Sequence, residues 1–115
     1  MATPIKHTLE HYTEGGIDLF VQWLDTVTDK VARAAIASRL IRLELGLFGD
    51  CKGLGGGLYE LRIDHGQGWR VYYGIESGRV ILLLAGSDKS GQRAAINLAR
   101  ERLQNWQQGA HHETR

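Results

Sequence analysis

Apolar positions change their period along this chain, and each change marks an element. The segment His7–Tyr12 predicts a short strand. After Gly15 and Gly16, Phe20, Trp23, Leu24 and Val27 recur at helical spacing, with Asp18, Gln22 and Asp25 off that face. The run Thr26-Val27-Thr28 marks a boundary, because β-branched and hydroxyl side chains disfavour a helix interior. Thr28 is placed to cap a second helix. That helix carries a stripe of Ile36, Leu40, Leu43 and Leu47, widened by Val31, Ala32 and Ala35. Gly46 and Gly49 punctuate its end. Two helices with a short link read as an αα-hairpin. Arg33, Arg39 and Arg42 lie off the stripe and read as a solvated face.

Residues 46–57 are glycine-rich and read as a loop. From Leu58 the period becomes two. Tyr59, Leu61 and Ile63 alternate with Glu60, Arg62 and Asp64. After a turn at His65–Gly68, Trp69, Val71, Tyr73 and Ile75 alternate with Arg70, Tyr72 and Gly74. Glu76-Ser77-Gly78 makes a second turn. Val80–Ala85 is apolar throughout, which predicts a central strand covered on both faces. Asp88 or Ser90 can cap a last helix, in which Ile96, Ala99, Leu103 and Trp106 share a face. The predicted order is β-α-α-β-β-β-α in one α+β domain over residues 1–106, with a frayed tail at 107–115. The three consecutive strands form an antiparallel meander, and the helices pack mainly on one of its faces. The other face is left open to present function.

Composition agrees with this reading. The 115 residues are 43% apolar and 23% charged, which fits one globular domain and excludes a disordered chain. Cys51 is the only cysteine, so no intrachain disulfide and no cysteine zinc site can form. The amino-terminal residues have no apolar signal segment, and the longest apolar run is far short of a membrane helix. A soluble cytoplasmic protein with no membrane partner is expected. The net charge is +1, which argues against a strongly basic nucleic-acid binder. The halves differ, however. Residues 1–50 hold five basic and seven acidic side chains, and residues 51–106 hold eight and five. An anion site therefore belongs to the second half, as a local feature.

Parity places Arg62, Arg70 and Tyr72 on one face of the hairpin 58–75. Two registers preserve that parity. In one, Arg62 opposes Arg70 and Glu60 opposes Tyr72. Like charges directly opposed are destabilising, so this register describes a site awaiting an anion. In the other, Asp64 opposes Arg70 as an ordinary cross-strand ion pair, and no function is needed. Lys52 in the preceding loop and Lys89 after the last strand can reach the rim of the same face. Arginines, lysines and a tyrosine are what phosphate recognition uses, and a metal-free RNA cleavage needs the same groups. Each cation taken alone reads as a solvated surface side chain, so the weight rests on the shared face. His7 and His11 lie four apart but in an extended segment, which argues against a metal pair. His65 sits in a turn, either as a general base or as an exposed turn residue. The glycines at 53 and 55–57 lack the phosphate-loop signature. Ser87 and Ser90 have no paired histidine nearby, so no nucleophile triad is supported.

The run GDCKGLGGGLYELRIDHGQGWRVYYG, followed by ILLLAGSDKSGQ, resembles the RelE/HigB-type toxins of type II toxin–antitoxin modules. More narrowly, it resembles their addiction module killer protein branch. The helical FVQWLDTVTDKVARAAIASRLIRLELGLFGD fits that branch too, so the likeness spans about residues 20–96. It implies the RelE/ParE-like fold and a ribosome-dependent endoribonuclease, an mRNA interferase that uses the RNA 2′-OH and no metal or cofactor. It also implies two partners, a cognate antitoxin protein and ribosome-bound mRNA. Carried over, Arg70 in G-W-R-V-Y stabilises the transition-state phosphate and Arg62 matches a second basic position. Lys89 lies near a further basic position of the family, and Lys52 belongs to the D-x-K signature; in the nuclease reading both would hold the RNA backbone, and Tyr72 or Glu60 would assist proton transfer. Two departures stand out. RelE-like enzymes have lysine where this chain has Glu60, and residues 91–97 lack the tyrosine that RelE carries in its last helix. The same fold houses ParE-like toxins, which inhibit DNA gyrase without catalysis. A member that only binds its antitoxin is a further alternative.

Overall fold

The alternation at Leu58–Ile75 builds a hairpin at the centre of a five-stranded sheet. Residues 4–113 are described in the computed structural model. The strands are β1 (Thr8–His11), β2 (Thr13–Glu14), β3 (Ile17–Asp18), β4 (Cys51–Gly55), β5 (Leu58–Ile63), β6 (Trp69–Glu76) and β7 (Val80–Ser87). The helices are α1 (Leu19–Asp25), α2 (Lys30–Glu44) and α3 (Gln92–Glu113), with a 3₁₀ turn at Lys89–Gly91. The sheet order is β1-β7-β6-β5-β4, and β2 and β3 form a separate small ribbon. β1 runs parallel to β7, while the other neighbours are antiparallel. The architecture is thus α+β with a mixed sheet.

Three features depart from the sequence reading. The sheet is not a pure meander, because β1 adds in parallel at one edge and β4 adds at the other. β4 lies within residues 46–57, read above as a loop. Its sequence CKGLG has almost no apolar signal, and it forms by completing the backbone ladder of β5. The helices also cover both faces. α1 and α2 pack over Leu61, Ile63, Val71, Tyr73, Ile81 and Leu83. α3 packs over Leu58, Tyr72, Leu82, Leu84 and Ala85 through Ala95, Ala99 and Leu103. A bulge opposite Tyr72-Tyr73 leaves Leu84 out of the register and lets both Leu84 and Ala85 join the α3 side. Close approach of α3 depends on Gly74, where a Cβ would lie 2.9 Å from a Leu103 methyl carbon.

Local details follow from chemistry that periodicity does not report. Asp29, not Thr28, caps α2, its carboxylate accepting from the Val31 and Ala32 amides at 2.9 and 3.3 Å. Val31 is 62% exposed, and Leu47 lies beyond the end of the helix, so neither belongs to the buried stripe. Two of the three off-stripe arginines are struts. Arg33 donates to the Leu24 carbonyl at 2.6 Å. Arg39 donates to the carbonyls of Arg62 and Phe48 at 2.6 and 3.1 Å, fixing α2 to the end of β5. The helix α3 continues past Trp106 to Glu113, through most of the expected tail, and residues 114–115 lie outside the described residues. No helix among the described residues is long and apolar enough to cross a membrane.

Candidate functional site

The β5–β6 register pairs Arg62 with Arg70 and Glu60 with Tyr72. This is the register that opposes two cations. α3 begins only at Gln92, so it covers the Glu60–Tyr72 row and stops short of the arginines. What remains is a cleft of about 230 Å³ lined by Asp50, Arg62, Asp64, Gln67, Arg70 and Lys89, with Gly66 and Gly68 as its floor. Gly68 has a φ of +76°, and a Cβ there would touch both Lys89 and the Arg70 guanidinium. The Lys89 amide donates to the Gln67 carbonyl at 3.4 Å, tying the turn after β7 to the β5–β6 turn.

The cations of this cleft are unevenly satisfied. Arg62 donates through Nε to Oε1 of Glu60 at 3.2 Å, and its Nη1 lies 3.9 Å from Asp50. Arg70 donates through Nη1 to the Trp69 carbonyl at 3.2 Å. Its Nε is buried and has no hydrogen-bond partner among the described residues. A buried donor left open costs free energy unless a water or a ligand meets it. Lys89 is exposed, with no ion-pair partner among the described residues.

The six residues singled out by sequence separate into two groups. Arg62, Arg70 and Lys89 meet in the cleft. Glu60, Tyr72 and Lys52 do not line it. Glu60 is buried, its carboxylate held by Arg62 on one side and by Nε2 of Gln92 at 2.6 Å on the other. It therefore orients Arg62 and presents nothing to solvent. Tyr72 is fully buried beneath α3, with its hydroxyl 3.4 Å from Oγ of Ser87. Burial pushes its phenol up to about 12, partly opposed by the Ser87 hydrogen bond. Parity alone puts both residues on an open face, and α3 is what closes that face. Lys52 lies exposed on β4, opposite Glu60. His65 points the other way, 3.9 Å from Asp29. Sequence reasoning passed over Asp50, Asp64 and Gln67 as cleft residues, although Asp64 shares the parity of Arg62 and was legible there.

The cleft thus brings together three cations, two carboxylates and one open donor, and its cations are groups that can hydrogen-bond an anion carrying several oxygens. Comparison with known proteins places these residues in a family. The family described as phage derived protein Gp49-like matches residues 22–104. The chain belongs to the Gp49-like family. The matched span runs from α1 into α3, so every cleft residue of this Gp49-like chain lies within it. An uncharacterized protein of Haemophilus influenzae is 44% identical over 81 residues, covering 70% of this chain and 82% of that protein. No solved structure matches the chain.

Proposed function

We propose that this Gp49-like protein is the toxin of a type II toxin–antitoxin module and that it cleaves ribosome-bound mRNA through the Arg62–Arg70–Lys89 cleft. Gp49-like membership is compatible with a toxin role and hence with an antitoxin partner. The observation that carries the nuclease reading is the opposed arginine pair with its open Nε. In this reading the 2′-oxygen attacks the adjacent phosphorus and the bond to the 5′-oxygen breaks. A 2′,3′-cyclic phosphate and a 5′-hydroxyl result, the departing 5′-oxygen taking its proton from water. Negative charge accumulates on the equatorial oxygens, where Arg70 and Arg62 donate and Lys89 supplies a point charge. The 2′-OH proton goes to Asp64, the cleft carboxylate that no described cation engages. Glu60 and Tyr72 take no proton, being buried. Glu60 instead holds Arg62 in place.

The burial of Glu60 and Tyr72 also favours a second reading, a ParE-like toxin that inhibits DNA gyrase through protein contacts. Primer extension on mRNA in a purified translation system separates the two. Wild type and Arg70→Ala are compared with and without ribosomes. Cuts that require both Arg70 and ribosomes support the nuclease. Intact mRNA with folded wild-type protein, together with blocked supercoiling, supports the gyrase reading.

A further inference from the structure

A second cleft, of about 470 Å³, lies around the β5–β6 turn from the arginines. Trp23 and Trp69 form one wall, their rings 6.5 Å apart and inclined at 62°. Both indoles are only partly buried. Trp69 precedes Arg70 on β6, so strand alternation puts the two on opposite faces of the sheet. Gly66 and Gln67 line both clefts. A third depression, at Gln67, Asp88, Lys89 and Ser90, overlaps each of them. The three adjoin through shared lining residues around the end of the sheet, cationic on the Arg62–Arg70 side and aromatic on the Trp23–Trp69 side. The aromatic end carries Asp29 and Asp88, and no cation lines it. Carboxylates there repel phosphate and accept hydrogen bonds from amino groups. Asp29 caps α2 through Oδ1, and its Oδ2 lies 3.9 Å from Nε2 of His65, beyond hydrogen-bond distance, which leaves Oδ2 an acceptor for such a contact.

We infer that the Trp23–Trp69 cleft is a nucleobase subsite for the nucleotide next to the phosphate held by Arg62 and Arg70, and that it prefers a base bearing an amino group. The inference rests on the nuclease reading and extends it to substrate selection. A base stacks on the exposed indole surface, and its amino group donates to Asp29. The phosphate stays with the cations across the turn.

The test is a nitrogen–proton NMR titration of the full chain, following indole Nε and arginine Nε signals. The probes are cytidine 5′-monophosphate, uridine 5′-monophosphate and ribose 5-phosphate. Trp106 packs against the α3 side of the sheet and serves as an internal control. Cytidine monophosphate should move the Trp23 and Trp69 signals saturably and leave Trp106 still. Uridine monophosphate should do so roughly fivefold more weakly. Ribose 5-phosphate should move the Arg70 Nε signal alone. If it does so while no nucleotide moves Trp23 or Trp69, the base subsite is overturned and the phosphate site stands. If no probe moves Arg70 or the tryptophans, both readings fail together. Equal effects of the two nucleotides overturn the amino-group preference.

Discussion

Arg62 and Arg70 face one another across the β5–β6 ladder, two cations at directly opposed positions. Such a pair costs stability, typically a few tenths to about 1 kcal/mol relative to neutral residues. A carboxylate at either position would have removed that cost. Truncating one arginine should therefore leave the fold intact. Arg70→Ala is expected to melt at or slightly above the wild-type temperature and to lose growth arrest at matched expression. Arg70→Lys keeps a charge but loses the two-pronged contact, so it should arrest growth weakly. Thermal unfolding and growth curves of the three proteins check this. Full arrest by Arg70→Ala would remove Arg70 from the mechanism.

Glu60 is the counterweight to that pair. Its buried carboxylate accepts from both Arg62 and Gln92. Glu60→Gln leaves one oxygen for Arg62 but turns an amide toward the Gln92 amide. The expected loss is about 1–3 kcal/mol. Glu60→Lys installs the residue that RelE-like enzymes carry, yet here it buries a third cation beside two arginines. Its cost should exceed that of Glu60→Gln, at about 3–5 kcal/mol. Urea unfolding of the two variants orders them. A stable Glu60→Lys protein would show that the position opens to solvent.

Tyr72 gives an opposite kind of prediction. Its phenol ionises near 10 in the unfolded chain and at about 12 when buried in the fold. Below pH 10 the phenol is neutral in both states and adds no slope. Above pH 10 the unfolded chain loses the proton first, so stability falls as pH rises toward 12. Tyr72→Phe should flatten only part of that decline, because burial also raises the phenols of Tyr73 and Tyr12 and the thiol of Cys51. At neutral pH the same variant should keep full growth arrest, because the hydroxyl meets Ser87 and not the cleft. Loss of arrest in a folded Tyr72→Phe protein would return the phenol to the chemistry.

What the sequence carried, and what it did not, divides along physical lines. Strand alternation is a strong signal, so the β5–β6 hairpin and the common face of Arg62 and Arg70 were legible. Register was open between two choices, because both satisfy the same alternation and only packing separates them. β4 escapes the pattern, since in CKGLG only Cys51 and Leu54 reach the core and the rest joins through the backbone ladder. The second layer was missed for a related reason. Val80–Ala85 reads as a strand covered on both faces, with Ala85 on the opposite face from Leu82 and Leu84, and only a bulge brings all three to the α3 side. Once α3 is placed, Glu60 and Tyr72 pass from the open face into the interior.

The open Nε of Arg70 makes a prediction about ligands that needs neither ribosome nor antitoxin. An anion that binds only the folded state stabilises it by RT ln(1 + [L]/Kd), about 1.4 kcal/mol at ten times Kd. For a chain of this size that is a rise of roughly 5 °C in Tm. Inorganic phosphate should therefore raise the wild-type Tm above that in chloride of equal ionic strength. The matched ionic strength separates binding from general screening of the opposed arginines, which both salts provide equally. Arg70→Ala should lose the phosphate-specific rise, and Lys89→Ala should lose only part of it, since Lys89 is exposed at the rim. Equal protection of wild type and Arg70→Ala by phosphate would mean that the anion sits elsewhere. The opposed arginines would then be a cost of the fold with no ligand to offset it.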